Sequence, residues 1–185
     1  MSRATKPNTK YATLLRGINV GGQNALPMKD LVAMFVEAGC GDVKTYIASG
    51  NVAFSAAAPL AQRIPSLIAA QIKKKFKLEV PVLVRSHDEL AAVARGNPFL
   101  APEQAIERLM VMFLATTPTP SAISSLDPAR SPPDEFAVRG REIYMRCPNG
   151  FAKTKLSNAY FDSKLSTTST GRNWRTVLTL FEMTK

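Results

Sequence analysis

The chain has 185 residues, 45% of them apolar, enough to fill the core of one compact unit or of two small ones. No apolar run is long enough to cross a membrane. The polar start MSRATKPNTK leads into no apolar segment with a small-residue cleavage site, so no secretory signal is expected. The formal charge of +10 is shared between the halves, with 12 basic and 6 acidic residues in positions 1–92 and 12 and 8 in positions 93–185. The densest basic stretch is 139–175. A basic surface attracts nucleic acid or phosphorylated ligands, although solubility alone also accounts for such a charge.

The predicted elements follow in chain order. Tyr11–Gly17 reads as a buried strand. The loop Ile18-Asn19-Val20-Gly21-Gly22-Gln23-Asn24 comes next, and Pro27 stands where a helix can start without losing a hydrogen bond. Met28, Leu31, Val32, Phe35 and Ala38 lie on one helical face, and Gly39 supplies a left-handed cap. Val43–Ala48 alternates as a strand, Ser49-Gly50-Asn51 turns the chain, and Val52–Ser55 returns. Pro59–Phe76 is an amphipathic helix whose start Pro65 could delay, and Lys73, Lys74, Lys75 and Lys77 oppose the dipole at its end. Val80–Arg85 is a strand, with Pro81 pointing to an edge or a first position.

A linking helix over Asp88–Arg95 ends at Gly96-Asn97-Pro98. Its start carries the only histidine, His87, expected on the surface, and Ser86 with Glu89 matches a capping box. The second half continues with a strand at Leu109–Ala115, a short helix near Pro120–Leu126, and a hairpin of Glu135–Arg139 and Arg141–Arg146 about Gly140. Helices are expected at Lys155–Leu165 and Asn173–Met183, the last where a closing strand would complete a repeat. The Pro-rich stretches (Pro118, Pro120; Pro128, Pro132, Pro133) read as ordered loops. The fold class is therefore α+β: two ferredoxin-like (βαββαβ-type) subdomains, the second modified with a C-terminal helix. The expected division is a flexible terminus at 1–10, a first subdomain with its linking helix at 11–98, and a second at 99–185.

Several chemistries lack their residues. One histidine and two distant cysteines, Cys40 and Cys147, cannot make a tetrahedral zinc site and suggest reduced thiols in a cytoplasmic protein. No G-x-S-x-G, G-x-x-x-x-G-K-[ST] or G-x-G-x-x-G pattern occurs. The expectation is no catalytic residue, no metal and no cofactor. RNA-recognition modules stack bases on aromatic residues of their central strands. Here only Tyr11 and Phe54 are available, so contact with nucleic acid would run through phosphates.

Four stretches together carry a family resemblance: Leu14–Gly22 (L-L-R-G-I-N-V-G-G) with Asn24, Tyr46–Val52 (Y-I-A-S-G-N-V) with Phe54, Thr154-Lys155-Leu156, and Thr170–Trp174 (T-G-R-N-W) with Thr176-Val177. The chain resembles the domain-of-unknown-function 1697 family of small bacterial proteins over nearly its whole length. Thr154 stands where members often have serine, and Gly171 where a small or hydroxyl residue is usual. The resemblance implies two ferredoxin-like subdomains and no particular reaction.

Two polar clusters are the candidate sites. In the first, Arg16, Asn19, Gly21, Gly22 and Asn24 precede a helix N-terminus that could hold an anion, with Ser49 and Asn51 close by if the first strand lies between the third and the fourth. The alternative is a tight turn and a hairpin whose asparagines satisfy backbone groups. In the second, Lys155 and Arg172 would bind phosphate or carboxylate and Asn173 and Trp174 would flank them. The alternative there is a helix cap, a core tryptophan and a solvated arginine. The expected function is non-enzymatic binding of nucleic acid or a small phosphorylated or anionic ligand by a monomer or weak homodimer, both clusters facing one groove. An enzyme for a small anionic substrate in that groove, or a protein-interaction scaffold, is the alternative.

Overall fold

The computed structural model describes residues 9–101 and 105–185. The expected flexible terminus lies, through residue 8, outside the described residues, while Thr9 and Lys10 already belong to a strand. The chain divides into two units: one runs to Ala91 and takes in Leu180–Lys185, and the other spans Ala92–Thr179. Each is α+β and built on a four-stranded antiparallel sheet.

The first unit contains β1 (Thr9–Leu15), α1 (Met28–Glu37), β2 (Gly41–Tyr46), β3 (Asn51–Ala56), α2 (Ala58–Phe76) and β4 (Val82–Ser86), followed by the start of α3 (His87–Gly96). Its sheet runs β2-β3-β1-β4, so β1 does lie between β3 and β4. Tyr11, Leu15, Val52, Phe54 and Val82 pack with Leu31, Met34 and Phe35 of α1 and with Ile64, Ile68 and Ile72 of α2. Each fully buried side chain of this size contributes roughly 1.5–3 kcal/mol. Tyr11 and Phe54 stack on each other at 5.6 Å inside this core. The alternate residues Ala12, Leu14, Ala53, Leu83 and Arg85 are buried as well. The two aromatic rings of the central strands are therefore closed to bases.

Two boundaries differ from the sequence reading for local reasons. Pro65 does not delay α2, which begins at Ala58 with Pro59 in its first turn; Pro65 sits inside the helix, where it removes one backbone bond. β2 stops at Tyr46 because Ile47 turns into the left-handed region with φ 47°. The capping box at α3 is formed, Ser86 N–H donating to Glu89 Oε2 at 2.8 Å and Glu89 N–H to Ser86 Oγ at 3.2 Å. His87 is half-buried and not the surface residue expected. Its ring stacks on Phe181 at 5.2 Å, and Nδ1 lies 3.3 Å from Thr184 Oγ1.

The second unit contains β5 (Leu109–Leu114), α4 (Pro120–Ser124), β6 (Glu135–Arg139), β7 (Glu142–Arg146), α5 (Asn158–Leu165) and β8 (Ser169–Asn173), then α6 (Trp174–Met183). Its sheet runs β6-β7-β5-β8. The closing strand expected to be missing is therefore present, and α6 follows it. Ser-Thr-Gly-Arg-Asn hides that strand because it has no apolar alternation. Besides its antiparallel ladder with β5, side-chain bonds fix its start: Asp162 Oδ1 accepts from Ser169 N–H at 2.8 Å and from Ser169 Oγ at 2.6 Å. Gly171 fits against Met110 and Met112, whose sulfurs would lie 3.2 and 3.0 Å from an added Cβ. Met112, Leu114, Ile143, Met145, Tyr160, Phe161 and Leu165 form the core on one side. The helix expected from Lys155 starts only at Asn158, capped by Ser157, whose hydroxyl accepts from Tyr160 N–H. Among the described residues no helix is long and apolar enough to cross a membrane.

Candidate functional site

The register of the first sheet puts three connections at one end: Arg16–Pro27 after β1, the turn 47–50 between β2 and β3, and 77–81 before β4. Backbone bonds tie them to the sheet, Leu15 N–H to Gly50 O at 2.9 Å and Arg16 N–H to Pro81 O at 3.0 Å. Asn19 is the staple. Its Nδ2 donates to Leu26 O at 2.9 Å and to Ala48 O at 2.8 Å, and its Oδ1 accepts from Leu26 N–H at 2.8 Å. Asn24 Nδ2 donates to Gly17 O at 2.8 Å. Both asparagines take left-handed backbones, φ 54° and 52°, which Asn tolerates better than most residues.

Val20-Gly21-Gly22-Gln23 is a tight turn closed by Gln23 N–H to Val20 O at 3.0 Å, with φ 58° and 76° at the two glycines. Positive φ at both central positions is the requirement that glycine meets. The glycines stand in open space, with nothing within 4 Å of an added Cβ. Asn51 is wholly buried, its Nδ2 donating to Tyr46 O at 3.1 Å and Ser49 Oγ at 2.9 Å. It holds the hairpin and offers no amide to a partner. The structure thus brings Arg16, Asn19, Gly21, Gly22, Asn24, Ser49 and Asn51 to one end of one sheet. The asparagines organise the loops, while Arg16 is partly buried and the glycine turn is exposed.

The same end gathers charge that the sequence reading assigned to the helix dipole alone. Arg16, Lys29, Lys73, Lys74, Lys75 and Lys77 meet two carboxylates there, Asp30 and Glu79, a net of +4. Lys75 bonds Asp30 across from α2 to α1 at 2.8 Å, and Lys73 bonds Glu79 at 2.7 Å. That second bond holds the Lys73 ammonium above its ordinary pKa and the Glu79 carboxyl below. A cleft of about 440 Å³ opens beside the pair, lined by Ala69, Ala70, Val80 and Pro81. Exposed Val20 (64%) and Ile47 (55%) flank the Asn19–Ala48 bond.

In the second unit the residues expected together have separate roles. Trp174 is 2% exposed and begins α6 in the core. Asn173 caps that helix, its Oδ1 accepting from Thr176 N–H at 2.8 Å. Arg172 is buried in β8 and donates to Thr170 Oγ1 at 2.9 Å and Gly171 O at 2.8 Å, burial lowering its pKa to about 10. Lys155 is exposed on the connection from β7 to α5, its N–H bonded to Ser131 Oγ at 3.0 Å. Asn173 lines a cleft of about 320 Å³ with Ile106, Glu107, Phe151 and Arg175, and Arg175 pairs with Glu107 across 3.3 Å.

Sequence reading missed a shared device of the two closing strands. Arg85 in β4 is 1% exposed and donates to Val84 O at 3.0 Å. Like Arg172, it directly precedes the residue that caps the next helix, Ser86 in one unit and Asn173 in the other. The parallel of Arg85-Ser86 with Arg172-Asn173 is the sequence signal that could have pointed to β8. The thiols of Cys40 and Cys147 are free and buried, and burial pushes both up to about 11. Among the described residues no group of His, Cys, Asp or Glu is arranged to hold a metal ion.

The sequence profile of the family described as "Protein of unknown function (DUF1697)" matches residues 8–144. Among curated proteins none matches the chain. Among solved structures, the conserved bacterial protein SP0830 from Streptococcus pneumoniae is similar with a TM-score of 0.70 and 22% identity, over 96% of this chain and 99% of that one. At that identity the likeness speaks for the fold.

Proposed function

The chain belongs to the DUF1697 family, and we propose that it acts without catalysis, binding an anionic partner at the loop-bearing end of its first sheet. One observation carries this reading: a net of +4 gathers at that end, on Arg16, the first turn of α1, the last turn of α2 and the connection to β4, beside loops that the asparagine staple holds in place. Prior ordering lowers the entropy cost of binding, and clustered charge draws the partner in.

The second unit supplies an internal control, because its elements follow the same order and its sheet the same strand arrangement. We read both units as ferredoxin-like on that basis. Five residues, 115–119, join β5 to α4, whereas twelve, 16–27, join β1 to α1. Two residues, 140–141, turn β6 into β7, whereas four, 47–50, turn β2 into β3. The fold closes without the extra length, and long ordered loops on a rigid scaffold commonly serve binding.

The test is fluorescence anisotropy with labelled single-stranded RNA, single-stranded DNA, duplex DNA and poly-L-glutamate at roughly 50 and 200 mM salt. At least one probe is expected to bind, with affinity falling steeply as salt rises and lost in Lys74→Glu/Lys77→Glu. Both lysines are exposed, and circular dichroism checks that the variant keeps the fold. Absence of binding to every probe at low salt, or binding indifferent to this double variant, contradicts the proposal.

A further inference from the structure

Resting on that reading, we propose that the partner is an acidic protein segment, which seats an aliphatic side chain against Val20 and Ile47 while its carboxylates reach the lysines at the same end of the sheet. Val20 and Ile47 are the two most exposed large apolar residues besides Val36 among the described residues, and they flank one hydrogen bond between neighbouring loops. An apolar centre with a polar rim is the anatomy of a protein interface. Nucleic acid that contacts a surface away from the grooves is held by phosphate contacts and by stacking on aromatic rings. Here the exposed residues are branched and aliphatic, and Tyr11 and Phe54 are locked in the core.

Ile47 adds an independent argument. It holds φ 47°, a conformation that β-branched residues avoid and that Gly or Asn adopts readily. A turn selected for stability alone would place one of those here. Strain kept at an exposed position accompanies a side chain that is used. Charge complementarity fixes the sign of the partner: the loops 16–27 and 47–50 contain no carboxylate, and the lysines of α2 and its C-terminal connection stand at the same end of the sheet.

The experiment is selection of displayed 12-residue random peptides on the full chain at roughly 0.15 M salt, where unassisted charge contacts are largely screened. Enriched peptides should combine Asp or Glu with Leu, Ile, Val or Met. Their synthetic versions should bind the full chain at least tenfold more weakly when it carries Val20→Ser or Ile47→Asn. Circular dichroism of the variants confirms that the fold is kept. Failure to enrich such peptides, or peptides that bind both variants as well as the parent, overturns the inference. So does nucleic-acid binding that these two substitutions weaken equally. Retention of salt-sensitive binding that only Lys74→Glu/Lys77→Glu removes would leave the anionic site standing and dismiss the aliphatic anchor. Peptides sensitive to Val20→Ser but indifferent to the lysine reversal would dismiss the anionic site, and the inference with it.

Discussion

Replacing Asn19 by alanine is expected to destabilise the first unit by about 3 kcal/mol. The side chain makes three hydrogen bonds, to Leu26 O, Ala48 O and Leu26 N–H, at 2.9, 2.8 and 2.8 Å, the two with Leu26 partly buried. Net values of about 1 kcal/mol for each partly buried bond, and less for the exposed one, give roughly 2 kcal/mol. Alanine must also hold φ 54°, which costs about 1 kcal/mol more. Asn19→Gly separates the two contributions, since glycine loses the bonds but accepts the backbone angle. The order of stability should therefore be parent, then Gly, then Ala. Urea unfolding followed by far-UV circular dichroism measures it, with the midpoint shifting at constant slope. An Ala variant within about 0.5 kcal/mol of the parent, or a Gly variant less stable than the Ala variant, would refute the idea that Asn19 staples the loops.

Further expectations follow from single positions. Ile47→Asn should raise stability by about 1 kcal/mol in the same assay by relieving the left-handed strain, and a loss of stability would show that Ile47 serves packing instead. Gly50→Ala should cost more than about 3 kcal/mol, because its Cβ would lie 2.6 Å from Leu15 Cβ at a φ of 79°; a near-neutral variant would contradict the geometry of the turn. Tyr144 is pushed up to about 12, first by burial and then by Glu142. Its protonated form is favoured on folding, so the stability it adds is complete below the ordinary tyrosine pKa and is lost as pH rises through about 12. Absorbance titration should show the last tyrosine step disappearing in Tyr144→Phe, and an unchanged last step would refute the assignment.

Most of the fold could be read from periodicity, because apolar spacing marks helices such as α1 and α2 and buried strands such as β1 and β5. β8 escaped for the opposite reason. Its Ser169, Thr170 and Arg172 are buried through hydrogen bonds, which leave no hydrophobic signature. The site was legible in part. The R-G-I-N-V-G-G and S-G-N segments do lie together at one end of the sheet, and glycine and asparagine chemistry correctly suggested turns there. Sequence could not show that Asn19 reaches Ala48, nor that Lys73, Lys74, Lys75 and Lys77 share that end with Arg16. Such proximities follow from strand order. In the second unit the basic residues near Lys155 looked like one cluster, but burial withdrew Arg172 into β8 and left Lys155 on a separate connection.

Where an anionic partner binds is read residue by residue from a ¹⁵N-resolved NMR titration of the full chain with an unlabelled poly-L-glutamate oligomer and, separately, single-stranded RNA. Amide signals of Gly17, Val20, Gly21, Gly22, Ile47 and Ala48 and of the lysines ending α2 are expected to move together on addition of one or both. Shifts confined to Glu107, Phe151 and Arg175 in the second unit, or no shifts with either probe at low salt, would contradict this expectation.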